Sequence, residues 1–172
     1  MSEKEDLKGA PLGKAVEYVG TYAPELLFPV ARVGKRAELG ITGRLPFSGC
    51  DIWNAYEVSW LQPGGKPEVA IAEMWVPCDS GSIVESKSLK LYLNSLNQTR
   101  FKNVDAVREV IRQDVSQAAG VEVEVRMLSP ERFEELRFGV FPGTCIDGLE
   151  VETDRYTVAP EFLEAEGSVV EE

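Results

Sequence analysis

Apolar positions change their spacing twice along this chain, and each change marks a switch between strand and helix. From Ile52 to Leu61 they recur at every second residue, which puts Ile52, Tyr56, Val58 and Trp60 on one face of a strand. Pro63-Gly64-Gly65-Lys66 has turn chemistry, and Glu68 to Val76 is a second run rich in Val, Ile and Trp. Two such runs around a Gly-containing turn predict a β-hairpin. From Glu85 onward the period lengthens. Leu89, Tyr92, Leu93 and Leu96 fall within about 100° on a 3.6-residue wheel, with Lys87, Lys90 and Asn94 roughly opposite. Asn103 is a suitable N-cap for a second helix carrying Val104, Val107, Ile111 and Val115 in one stripe, and Gly120 stops it. Val121, Val123, Val125 and Met127 then alternate with Glu122, Glu124 and Arg126, the pattern of a half-buried strand. A last strand is expected around Glu150 to Val158. The order β-β-α-α-β-β fits two helices laid on one face of an antiparallel sheet, an α+β fold.

Outside these elements the pattern fades. Residues 1–10 alternate charges and are expected to be disordered, and 11–45 hold scattered Gly and Pro, the mark of an extended arm with short pieces of structure. The expected organisation is an N-terminal arm over 1–45, one module over 46–160, and an acidic linker or tail over 161–172. At 172 residues and 44% hydrophobic, one core is the default. No apolar run approaches the roughly 20 residues that span a bilayer, and Met1 to Lys8 lacks the apolar stretch of a secretory signal. Three cysteines, spread singly, argue against a disulfide framework and for a reducing cytoplasm. There is no histidine, so the commonest general base and zinc ligand is missing, no Cys-x2-Cys pair replaces it, and no metal is expected. A net charge of −11 opposes a nucleic-acid role, which needs clustered Lys and Arg.

The chemistry concentrates at one helix start. After the loop Asp79-Ser80-Gly81-Ser82 comes Glu85-Ser86-Lys87-Ser88-Leu89-Lys90-Leu91-Tyr92-Leu93-Asn94-Ser95-Leu96-Asn97. A carboxylate in an opening turn faces unpaired N–H donors and the positive end of the helix dipole. Ser86 and Ser88 add hydroxyls, and Lys87 and Lys90 add cations three residues apart. Together they offer an anionic acceptor for a guanidine-like heterocycle edge and a cationic patch for phosphate. Plainer roles compete. Glu85 could only stabilise its helix, by about 0.3–1 kcal/mol, and the lysines could be a solvated face. Tyr92 reads as core, and Arg100 as a phosphate contact or a carbonyl cap.

The run Glu-Ser-Lys-Ser-x-Lys-x-Tyr-x-x-Ser-x-Asn resembles the signature of the NADPH-dependent 7-cyano-7-deazaguanine reductases, nitrile reductases of queuosine biosynthesis in the tunnelling-fold superfamily. Leu12-Gly13-Lys14, Leu45-Pro46-Phe47, Asp51-Ile52-Trp53, Tyr56-Glu57, Ser95 to Phe101 and Gly143-Thr144-Cys145-Ile146-Asp147 are similar to its two-module branch, from about residue 11 to the end. The resemblance implies a tunnelling-fold module and NADPH as cofactor. It also implies that Val84, Glu85 and Ser86 hold 7-cyano-7-deazaguanine, and that Ser86 and Lys87 hold NADPH. It places the nucleophilic cysteine and the acid aspartate, in a Cys-x6-Asp spacing, in a C-terminal module beyond this stretch. The position that spacing reaches from Asp51 is Arg44, so no catalytic residue is expected in this chain. In the implied reaction a thiolate adds to the nitrile carbon, and two hydrides from two NADPH reduce the adduct to the primary amine.

Cys50 beside Asp51 is the tempting nucleophile, but a neighbouring carboxylate raises a thiol pKa and weakens it. Cys78 and Cys145 read as small buried hydrophobes. Two other classes stay open: a purine- or pterin-handling tunnelling-fold enzyme of different chemistry, such as a cyclohydrolase, and a non-catalytic scaffold. Open sheet edges, with any exposure of Trp53, Trp60 or Trp75, would call for edge-to-edge closure with other modules in a homo-oligomer.

Overall fold

The hairpin supplies two of the three strands of the main sheet. In the computed structural model, which describes residues 10, 11, 13, 15, 18–137, 139, 140, 142–150, 152 and 154–159, strand β2 (Cys50–Leu61) runs antiparallel to β3 (Pro67–Pro77), and β3 pairs on its other side with β5 (Glu124–Leu128). Helices α2 (Ser86–Ser95) and α3 (Val104–Ala119) pack their apolar stripes on one face of this sheet. Two short strands unforeseen in the sequence, β1 (Pro29–Ala31) and β4 (Ser82–Val84), pair with each other, and helix α1 (Arg32–Glu38) follows β1. Three residues are too few to show a period, which is why both pieces escape a pattern search.

The core lies between sheet and helices. Ala70, Ala72, Met74 and Val76 from β3 and Val125 from β5 meet Leu89, Tyr92 and Leu93 of α2, and Val107, Ile111 and Val115 of α3. All four residues of the expected α2 stripe are buried, as is the α3 stripe from Val107 onward. Asn103 caps α3 by accepting the Ala106 N–H at 2.9 Å. Gly120 ends it at φ +73°, left-handed backbone in which a Cβ is strained. No atom lies within 4 Å of a Cβ built there, so strain is the whole effect. Gly120→Ala should therefore lower unfolding stability by about 1 kcal/mol in urea titration.

The face of β2 needs correction. Ile52 and Tyr56, expected on one face with Val58 and Trp60, are 58% and 67% exposed, whereas Val58 and Trp60 are buried and Trp53 and Ala55 point inward. Ala55 pairs with Ala72 but Val58 with Ala70, so β2 carries one extra residue between them. This bulge flips the alternation: odd positions face the core before it, even positions after it. Trp60, whose exposure would have called for a partner, is buried. The opposite face of the sheet buries Ile71 and Leu128 near a 3-10 turn at Pro130–Glu135.

Residues up to Arg137 form one compact unit and those from Phe138 a second. The described residues of the second carry no helix or strand, including those of 150–158, where a strand was expected. Alternation makes a strand only where another edge supplies its hydrogen bonds. Cys145, expected to be buried, is exposed, and Cys78 is half-buried. Of the stretch expected to be disordered only Ala10 is described, and it is buried. Leu12, Lys14 and the acidic run 161–172 lie outside the described residues.

Candidate functional site

Glu85 is not inside the first turn but at the N-cap. Its backbone is extended (φ −66°, ψ 133°), and its carboxylate turns back on its own helix. Oε1 accepts the Lys87 N–H at 2.8 Å, and Oε2 accepts the Ser88 N–H at 2.8 Å. The residue is 7% exposed. Ser88 Oγ donates to the Glu85 carbonyl at 2.6 Å and accepts the Phe28 N–H at 3.0 Å, while the Glu85 N–H donates to the Phe28 carbonyl at 2.9 Å. The motif start is thus locked to the strand that leads into α1. Val84, the last residue of β4, is buried opposite Pro29.

Beside this cap, a groove of about 410 Å³ opens between the bulged strand β2 and the outward stripe of α2, within the range of small-molecule sites. One wall is Trp53 to Glu57, including the bulge. The other is Ser86, Lys90 and Asn94, spaced four residues apart so that they stack along one helix face. Met74, Leu89 and Leu93 make an apolar floor. Ser86 and Lys90 are exposed and Lys87 is half-buried. Of the four residues singled out from the sequence, the structure brings Ser86 into the groove. Val84, Glu85 and Lys87 belong to the strand end and capped turn that position it. Trp53, Tyr56, Glu57 and Asn94 line the groove without having been singled out as site residues; for the three on β2, the bulge that sets which residues face α2 has no local sequence signal.

The other candidates resolve into structural roles. Arg100 donates to the Pro63 carbonyl at 2.6 Å and so caps the hairpin turn. Tyr92 is core, its hydroxyl donating to Asp114 Oδ2 at 2.6 Å. Tyr22 donates to the same oxygen at 2.8 Å, and its ring meets that of Tyr92 edge-on. Burial, then the Asp114 hydrogen bond and charge, raise the Tyr22 hydroxyl to a pKa of about 12 and push Tyr92 higher still. Cys50 is exposed at the start of β2, and the adjacent Asp51 carboxylate is taken up by Arg32.

An antiparallel sheet with two helices on one face, and a polar-walled groove beside a capped helix start, defines an α+β module of the tunnelling-fold kind. The family described as nitrile reductase, 7-cyano-7-deazaguanine reductase N-terminal, matches residues 18–127. This span holds both groove walls and the capped turn, and the chain belongs to that family. Three curated relatives carry the name NADPH-dependent 7-cyano-7-deazaguanine reductase. That of Bordetella avium is 50% identical over 167 residues, covering 96% of this chain and 61% of the relative. That of Burkholderia cenocepacia is 52% identical over 156 residues, covering 91% and 56%. That of Desulfotalea psychrophila is 56% identical over 146 residues, covering 85% and 53%. The chain thus spans little more than half the length of these relatives. No described helix is long and apolar enough to cross a membrane.

Proposed function

We propose that this chain is the N-terminal module of an NADPH-dependent reductase that converts the nitrile of 7-cyano-7-deazaguanine to the primary amine of 7-aminomethyl-7-deazaguanine, a step of queuosine biosynthesis. The observation that carries the reading is the family match across residues 18–127, with the Glu85–Lys90 run intact at the helix start. In this reading Val84, Glu85 and Ser86 hold the deazaguanine, and Ser86 and Lys87 hold NADPH. The nucleophilic cysteine and acid aspartate come from a C-terminal module, which segment 161–172 would join to the module described above. The cytoplasm, which keeps thiols reduced, suits both cysteine chemistry and the three free cysteines of this chain. Assembly with that module and with further copies would cover the outer edges of β2 and β5, which pair with no strand among the described residues.

The residues present fit a phosphorylated dinucleotide. The exposed Ser86 hydroxyl and the Lys90 ammonium, one turn apart, offer a donor and a cation to one groove whose opposite wall includes the Trp53 indole. When bound, NADPH supplies the hydride; the balanced conversion takes one nitrile, two NADPH and two protons to one aminomethyl group and two NADP+. This chain's residues bind and orient. Glu85 keeps the first turn of α2 rigid and sets an anionic acceptor beside the heterocycle's N–H edge. The apolar floor of Met74, Leu89 and Leu93 excludes water from one side of the groove.

The test is NADPH oxidation with 7-cyano-7-deazaguanine, run on the chain alone and with the C-terminal part of the Desulfotalea psychrophila relative supplied as a separate chain. Turnover only in the mixture is expected. Turnover by the chain alone would overturn the placement of the nucleophile and return Cys50 to the centre. Silence in both, with no quenching of tryptophan fluorescence by NADPH, would favour a scaffold.

A further inference from the structure

Helix α1 reaches the groove's surroundings chiefly through Arg32. Arg32 is largely buried (15% exposed), and it joins three segments. Its backbone N–H donates to the Gly81 carbonyl at 3.1 Å, and its Nε donates to Ser80 Oγ at 2.9 Å, on a serine that is itself buried. Its second guanidinium nitrogen pairs with the Asp51 carboxylate. Ser80 and Gly81 lead directly into β4 and the Glu85 cap. Asp51 lies two residues before Trp53 on the same face of β2. Arg32 therefore spans from the strand that forms one groove wall to the loop that launches the other. One turn on, Arg36 donates to the Cys78 carbonyl at the far end of the same loop. A fork with several fixed donors is what a three-way junction requires.

We propose that Arg32 and Asp51 are positioning residues that fix the two walls of the groove relative to each other, so that Ser86 and Lys90 are held opposite Trp53 before any ligand arrives. This rests on the reading of the groove as the ligand seat. The pair touches no substrate. It acts through the loop 78–81 and the first residues of β2, and its effect is preorganisation: a ligand need not pay to order either wall.

Backbone amide exchange of the ligand-free chain tests this directly. In Asp51→Asn and in Arg32→Lys, amides of residues 80–88 should exchange about tenfold faster, while those of Val104–Ala119 keep their rates. Combining Arg32→Lys with Asp51→Glu restores reach across the pair and should return exchange over 80–88 to near the parent rate. Uniform acceleration, no acceleration, or failure of the rescue would each overturn the proposal. NADPH titration, followed by tryptophan fluorescence, should show about tenfold weaker binding in the single variants and recovery in the rescue. If the parent chain itself binds no NADPH, the functional reading fails, while the exchange data still decide whether the pair pins the walls.

Discussion

Glu85→Ala should remove about 1–2 kcal/mol of unfolding stability and abolish NADPH oxidation in the reassembled reductase. The stability loss follows from geometry already described. The carboxylate satisfies two of the N–H groups that every helix start leaves unpaired, each at 2.8 Å, in a site that water barely reaches. Alanine leaves both unpaired. The activity loss has two possible sources, the collapsed cap or the missing contact to the deazaguanine, and Glu85→Ser separates them. Serine is a favoured N-cap residue, so its hydroxyl restores one of the two bonds and most of the stability. It carries no charge and cannot accept from a heterocycle N–H edge as a carboxylate does. The expected pattern is therefore near-parental urea unfolding with activity still lost. If Glu85→Ser turned over normally, the carboxylate would serve its helix alone and the substrate assignment would fall.

How far the sequence reaches depends on how local the controlling physics is. The α3 helix is legible because its start, its stripe and its stop rest on single residues: Asn103, the valine–isoleucine series and Gly120. The hairpin is legible for the same reason, since turn and strands are contiguous. What escaped is set by partners distant in the chain. The bulge in β2 exists only in its pairing with β3, where Val58 meets Ala70, and it decides that Trp53 rather than Ile52 faces the helices. Glu85 was legible as a helix-start carboxylate, but whether it sits inside the turn or at the cap is a one-residue difference in backbone angle that spacing does not encode. The Arg32–Asp51 pair, and the meeting of Tyr22 with Asp114 across 92 residues, are polar contacts between elements. Polar contacts of this kind leave no period to read. The expected strand over 150–158 shows the converse: its described residues form no strand, because residue type alone does not supply the neighbouring edge that a strand needs.

Raising the pH above 10 should unfold the chain progressively, and Tyr92→Phe should blunt that loss. Tyr92 and Tyr22 both donate to one carboxylate oxygen of Asp114, and both hydroxyls are held above their ordinary pKa of 10, Tyr22 at about 12 and Tyr92 higher. Burial is the largest cause for each, followed by the Asp114 hydrogen bond and charge. The sign follows from proton binding. Below pH 10 folded and unfolded tyrosines are both protonated and stability is complete. Above it the unfolded chain releases protons that the folded chain retains, so stability falls as pH rises toward the folded pKa values. For the fully buried Tyr92 the slope is about 1.4 kcal/mol per pH unit. Tyr22 is 40% exposed, and solvent screening makes its share smaller. Tyr92→Phe costs about 1 kcal/mol at neutral pH for the lost hydrogen bond, but it removes the steeper component, so its stability curve should approach and then cross that of the parent. Asp114→Asn should keep part of the slope, because burial, the largest single cause, remains. Urea unfolding at a series of pH values between about 8 and 12 reads both effects. Parallel curves for the parent and Tyr92→Phe would show that the shared carboxylate and the buried ring do not control alkaline stability.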